Sequence, residues 1–226
     1  AADALFRRAV ERGPGDAEVV GAYAAFVADV LRDNDTAEVY YRRALEADPD
    51  HAGNLGRFAC FLHAVRGDHV TADQLYQRAI HCAGGGDAEV LGNYASFLET
   101  EKDDAAMAEK YWRLAVEADP RHAYNLTGYA RLLACSGENA TAAEYFKRAA
   151  LVDGGEDQTV AGFYLDFLQA VRETDDNAGQ YLAEAAEALP HCGPVLQAYG
   201  EYLVEVRGAR EEGEALIRRA SHIVTL

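Results

Sequence analysis

An aromatic residue followed by a small one recurs along the chain at a near-constant interval: Tyr23-Ala24, Phe58-Ala59, Tyr94-Ala95, Tyr129-Ala130, Tyr164-Leu165 and Tyr199-Gly200. The steps are 35, 36, 35, 35 and 35 residues. Self-similarity at this period marks an array of supersecondary units. It displaces the one or two globular domains that 226 half-apolar residues would otherwise suggest.

Apolar residues stand three before each aromatic (Val20, Leu55, Leu91, Leu126, Ala161, Leu196) and three after each small residue (Val27, Leu62, Leu98, Leu133, Leu168, Leu203). These offsets line one face of a helix. A second series runs in step: Ala44, Ala79, Ala115, Ala150, Ala185 and Ala220, preceded by Tyr40, Leu75, Tyr111, Phe146, Tyr181 and Leu216. Each repeat therefore reads as two helices. One further period back, Leu5 and Ala9 place an unpartnered second helix at 1–14. Six pairs follow at 16–50, 51–86, 87–121, 122–155, 156–191 and 192–226, about thirteen helices in all. Gly13-Pro14, Asp48-Pro49 and Asp119-Pro120 end second helices, because proline lacks a donor and restrains the residue before it. Thr36, Thr71 and Thr141 are expected as N-caps, with Thr141 and Glu144 spaced as a capping box. No single pair can bury its apolar face, so the expectation is one all-α solenoid of stacked antiparallel pairs over 1–226.

At these positions the sequence resembles the tetratricopeptide-repeat (TPR) family. Its second-helix pattern of Ala, aromatic, Ala and closing Pro is matched by Ala37-Tyr41-Ala44-Pro49 and Ala108-Trp112-Ala115-Pro120. Phrases such as AEVYYRRALEADP and AEKYWRLAVEADP look most like plant TPR-like proteins. The repeat is about one residue longer than the family's 34-residue unit. The fifth and sixth pairs depart further, with Gly179 and Gly213 near their second-helix starts.

The resemblance implies a right-handed superhelix and a protein-protein interaction scaffold, whose first helices line a concave groove for an extended or helical partner peptide. The implied groove slots hold Ala22, Arg57, Asn93, Gly128, Phe163 and Ala198; without Lys among them, a clamp for a terminal carboxylate is disfavoured. The candidate partner-binding residues are Arg57, His63, Asn93, Ser96, Glu99, Tyr124, Arg131, Asp166, Gln169 and Glu201. This mixed surface grows acidic toward the C-terminus and suits a basic or apolar peptide. These residues read equally as the solvated face of a solenoid that binds elsewhere. Self-assembly through solenoid ends, or a half-TPR scaffold of an RNA-processing complex, is the alternative.

Composition narrows the partners. Lys and Arg number 21 against 38 Asp and Glu, a net charge of −17, so direct contact with nucleic acid or an anionic membrane is not expected. Arg7, Arg42, Arg113, Arg148 and Arg218 form a ladder, but Asp3, Glu38, Glu109, Glu144 and Glu214 stand four residues earlier and neutralise it. Cys60, Cys82, Cys135 and Cys192 are scattered singly, which suggests a reduced intracellular compartment, with the cytoplasm as the expected location. His81-Cys82 and His191-Cys192 do not converge as zinc ligands by spacing. Neither a secretory leader, a catalytic constellation nor a cofactor motif is read, so no enzyme, metal or cofactor is expected. A start without Met inside a repeat suggests a fragment or processed form.

Overall fold

The anchors become helices because their spacing lets each bury one apolar stripe against its neighbours. A computed structural model describes residues 2–154 and 158–223, and these hold thirteen α-helices and no strand. They divide into two compact units, the first ending at Ala118 and the second beginning at Asp119.

The first unit contains α1 (Ala2–Arg12), α2 (Ala17–Phe26), α3 (Asn34–Ala47), α4 (Ala52–Phe61), α5 (His69–Cys82), α6 (Ala88–Glu101) and α7 (Ala105–Ala118). Helices α2, α4 and α6 pair with α3, α5 and α7. Ala24, Ala59 and Ala95 are fully buried where first helices meet their partners, as are Ala44, Ala79 and Ala115 on the second helices. Helix α2 approaches α4 so closely that a Cβ on Gly21 would lie 2.0 Å from Asn54 Oδ1. The Asn54 amide is fully buried and donates to the Ala17 carbonyl at 2.7 Å, tying the two first helices together.

The longer repeat has a local cause in the first two pairs. Helices α2 and α4 finish in π-helical turns, Val27–Leu31 and Leu62–Arg66, which insert an extra residue before the chain reverses. Each reversal passes through a left-handed residue, Arg32 at φ 58° and Gly67 at φ 67°.

The second unit contains α8 (Ala123–Cys135), α9 (Asn139–Asp153), α10 (Gln158–Val171), α11 (Ala178–Ala188), α12 (Gly193–Glu205) and α13 (Arg210–Ile223). Helices α8 and α9 pair, as do α12 and α13, while α11 packs on α9 and α12 as well as α10.

Two sequence readings need correction. The N-caps of α3 and α5 are Asp33 and Asp68, whose carboxylates accept the N–H groups of Thr36 and Thr71 at 3.1 Å; the threonines sit one turn inside. Thr141 and Glu144 likewise lie within α9, which starts after Glu138. In addition, Tyr40 and Tyr111 are half-buried and meet Tyr23 and Tyr94 edge-on, whereas the next residues, Tyr41, Tyr76 and Trp112, fill the core. The left-handed turn residue advances only 34 positions from Asp103 to Gly137, and the register of α9 slips accordingly. There Tyr145 makes the edge-on contact with Tyr129, and Phe146 enters the core.

Candidate functional site

The first-helix face of the first unit carries Arg57 on α4 and Asn93 and Ser96 on α6, all half-buried. Arg57 makes no hydrogen bond or ion pair to any described residue. Its charge reaches Tyr41, whose phenol is pushed up by burial and by Asp29 and Cys60, with Arg57 opposing. Burial also pushes the Cys60 thiol up, leaving a protonated, weakly nucleophilic sulfur on the same helix. A half-buried arginine whose guanidinium meets no carboxylate among the described residues retains strong directional donors for an incoming carbonyl or carboxylate.

Two other predicted residues of this unit are engaged internally. Glu99 accepts the Trp112 indole N–H at 3.2 Å, satisfying a donor that the core would otherwise strand. His63 turns onto Phe97, edge-on with ring centroids 5.1 Å apart. Its Nε2 lies 3.7 Å from Glu101, a carboxylate shared with His69 Nδ1 at 3.3 Å. Burial holds the His63 imidazole below its ordinary value, with Glu101 pulling the other way and His69 adding to the depression.

In the second unit, Tyr124 is exposed at the start of α8 and lies edge-on to His122. Arg131 covers the Phe163 ring at 4.7 Å, so the arginine and a groove-slot aromatic form one cation-π surface. Asp166 is exposed on α10. Gln169 and Glu201 come together across a hollow of about 340 Å³ that also takes in Arg172 and Glu173. Glu201 accepts from Gln197 at 2.9 Å, and Arg172 spans Glu201 and Glu205.

Sequence reasoning missed a cleft of this unit, about 480 Å³ and mainly apolar, lined by Ala161, Gly162 and Leu165 on α10 with His191, Cys192 and Pro194. A Cβ on Gly162 would meet nothing within 4 Å, whereas the repeat-equivalent Gly21 and Gly56 are closed over by Asn54 and Val90. The same glycine serves close approach in one unit and an opening in the other; only the stand-off between helices distinguishes them.

The arginine ladder is partly neutralised as expected: Arg7, Arg42 and Arg218 pair with Asp3, Glu38 and Glu214. Arg148 instead donates to the Pro120 carbonyl at 3.4 Å and covers Tyr145. Among the described residues no three His, Cys, Asp or Glu side chains converge as a metal-ligand set. No described helix is long and apolar enough to cross a membrane.

Solved structures resemble this chain. YrrB, a TPR protein with an unusual peptide-binding site, aligns over 85% of this chain and 96% of its own at 20% identity and a TM-score of 0.57. The fold is tetratricopeptide-like. PilF of Pseudomonas aeruginosa aligns over 89% of this chain and 88% of its own, at 21% identity and a TM-score of 0.63. PilW, a widely conserved type IV pilus biogenesis factor, gives 18% identity, 85% and 86% coverage and a TM-score of 0.65. No family model matches the chain, and no curated protein matches it in sequence.

Proposed function

We propose that this protein is a non-catalytic scaffold that holds a partner peptide on its first-helix face, with Arg57 and Asn93 donating to carbonyl groups of the peptide. The observation that carries the reading is that Arg57, on the first helix of the pair before that of Asn93, has no hydrogen-bond or ion-pair partner among the described residues. A guanidinium with unused donors gains charge-assisted hydrogen bonds from a ligand that supplies acceptors. The peptide-binding site named for YrrB supports the same reading by analogy of fold. On the second unit, taken by itself, the exposed Asp166 favours a basic or apolar segment.

The test is capture of partners by the wild type and by an Arg57→Ala/Asn93→Ala variant whose helical circular dichroism is unchanged. Loss of the captured set supports the assignment; an unchanged set overturns it. A self-assembling module is the second reading, favoured by Leu5, a large aliphatic side chain that stands exposed on α1. A strictly monomeric species in sedimentation at high concentration overturns that one.

A further inference from the structure

The edge of the first unit where helices reverse within each pair carries a feature that the first-helix reading leaves unused. Val30 is 63% exposed, Leu31 44%, Val65 43% and Val70 70%, all in the two π-helical turns or the first residues after them. Four large aliphatic side chains are thus left in water at or beside two successive reversals of the chain, where a partner's apolar residues could cover them.

Side-chain bonds join the two π-helical turns to each other. Arg66, in the second π-helical turn, reaches back to Asp35 at 2.7 Å and Glu38 at 2.8 Å beside the first turn. His69 Nδ1 stands 3.3 Å from Glu101, at the end of α6, without a hydrogen bond between them. The aliphatic residues therefore sit on a braced surface and not on independent loops.

The charge around them is one-sided. Residues 29–35, 65–70 and 101–104 contain seven carboxylates (Asp29, Asp33, Asp35, Asp68, Glu101, Asp103 and Asp104) against Arg32, Arg66 and Lys102. Two of those three cations are already occupied, Arg66 as above and Lys102 by Asp73 at 3.1 Å. Asp33 and Asp68 are held below the usual carboxylate range by the side chains and N–H groups of Thr36 and Thr71. An apolar ridge in an acidic field is complementary to a segment that alternates aliphatic and basic residues, and it repels nucleic acid and anionic lipid.

We propose that this turn edge is a second docking surface, distinct from the first-helix face, and that its occupant is a basic amphipathic segment of a partner protein. Its aliphatic residues cover Val30, Leu31, Val65 and Val70 while its Lys or Arg side chains meet Asp29, Asp68 and Asp103.

The probe is a fluorescently labelled synthetic Lys/Leu amphipathic helix, with a Glu/Leu peptide of the same pattern as its control, titrated with the full chain and followed by anisotropy. The Lys/Leu peptide is expected to bind and the Glu/Leu peptide to fail. Val30→Ser/Val65→Ser/Val70→Ser is expected to weaken binding about tenfold or more, since each loses aliphatic contact area. Asp29→Asn/Asp103→Asn is expected to weaken it and flatten its salt dependence. The substituted side chains are solvent-exposed, so circular dichroism and the unfolding midpoint are expected to hold. Arg57→Ala/Asn93→Ala is expected to leave this binding intact, which separates it from the first-helix site. Unchanged affinity in the triple serine variant, or equal binding of the Glu/Leu peptide, overturns the proposal. So does a wild-type dimer in sedimentation that the serine variant abolishes, because the occupant is then a second copy.

Discussion

Gly200 and Gly213 lie back to back across α12 and α13. A Cβ on Gly200 would stand 2.7 Å from the Gly213 carbonyl oxygen, and one on Gly213 would stand 2.5 Å from the Gly200 oxygen. The glycine that makes the last pair depart from the family pattern is thus what lets its two helices touch. Backbone atoms cannot rotate aside as a side chain can. Gly213→Ala is therefore expected to cost about 2 kcal/mol or more, a fall of about 4–8 °C in the thermal midpoint. Gly162→Ala, where a Cβ meets nothing, is expected to gain about 1 kcal/mol from helix propensity. Equal midpoints for the two variants would contradict this account of the close approach.

The reversals within pairs place a second stability difference at equivalent positions. Arg32 and Asp103 adopt φ of 58° and 50°, the conformation that Gly67 takes at 67°. A side chain there crowds the following carbonyl, which glycine avoids. Arg32→Gly and Asp103→Gly are each expected to stabilise by up to about 1 kcal/mol, less the entropy glycine adds to the unfolded chain. Gly67→Arg is expected to lose a similar amount. Denaturant midpoints should move in these opposite directions with unchanged slope.

Helix α4 begins on an unusual cap: His51 Nδ1 accepts the Asn54 N–H at 3.2 Å. An imidazole caps a helix only through an unprotonated ring nitrogen, whereas a carboxylate accepts unconditionally and also favours the positive helix terminus. His51→Asp is expected to match or exceed the wild type in thermal stability, and His51→Ala to lose about 1 kcal/mol. An alanine variant as stable as the wild type would remove the cap from the account of how α4 starts.

Helix number and pairing are legible because a buried face repeats with the helical period, as Ala44, Ala79 and Ala115 illustrate. Caps are less so: Asp33 and Thr36 are both good capping residues three apart, and only the path of the chain selects the aspartate. The shift from Trp112 to Phe146 as core aromatic follows from a shortened turn that has no side-chain signature beyond Gly137. The candidate face is identifiable from phase alone, but phase says nothing of partners on other elements. Glu99 is taken by Trp112, Arg131 by Phe163 and Glu201 by Arg172, each through a side-chain conformation set by tertiary packing. Among the described residues Arg57 has no such neighbour, and that contrast emerges only in three dimensions.

His63 ties the stability of the first unit to pH. Burial disfavours its imidazolium more than Glu101 restores it, so the folded form resists a proton that the unfolded chain accepts at its ordinary value. A depressed imidazole value means that unfolding takes up protons. Its contribution is fully present above the unfolded value, about 6.5, and is lost as pH falls through the lower folded value. His63→Gln removes the titrating group while keeping a neutral polar side chain against Phe97 and Glu101. Between about pH 7.5 and about pH 5.5, the thermal midpoint of the wild type is expected to fall further than that of the variant. If the two midpoints fall in parallel, His63 is not protonated less readily in the folded chain. A larger fall in the variant would mean that the Glu101 ion pair outweighs burial, reversing the sign of the linkage.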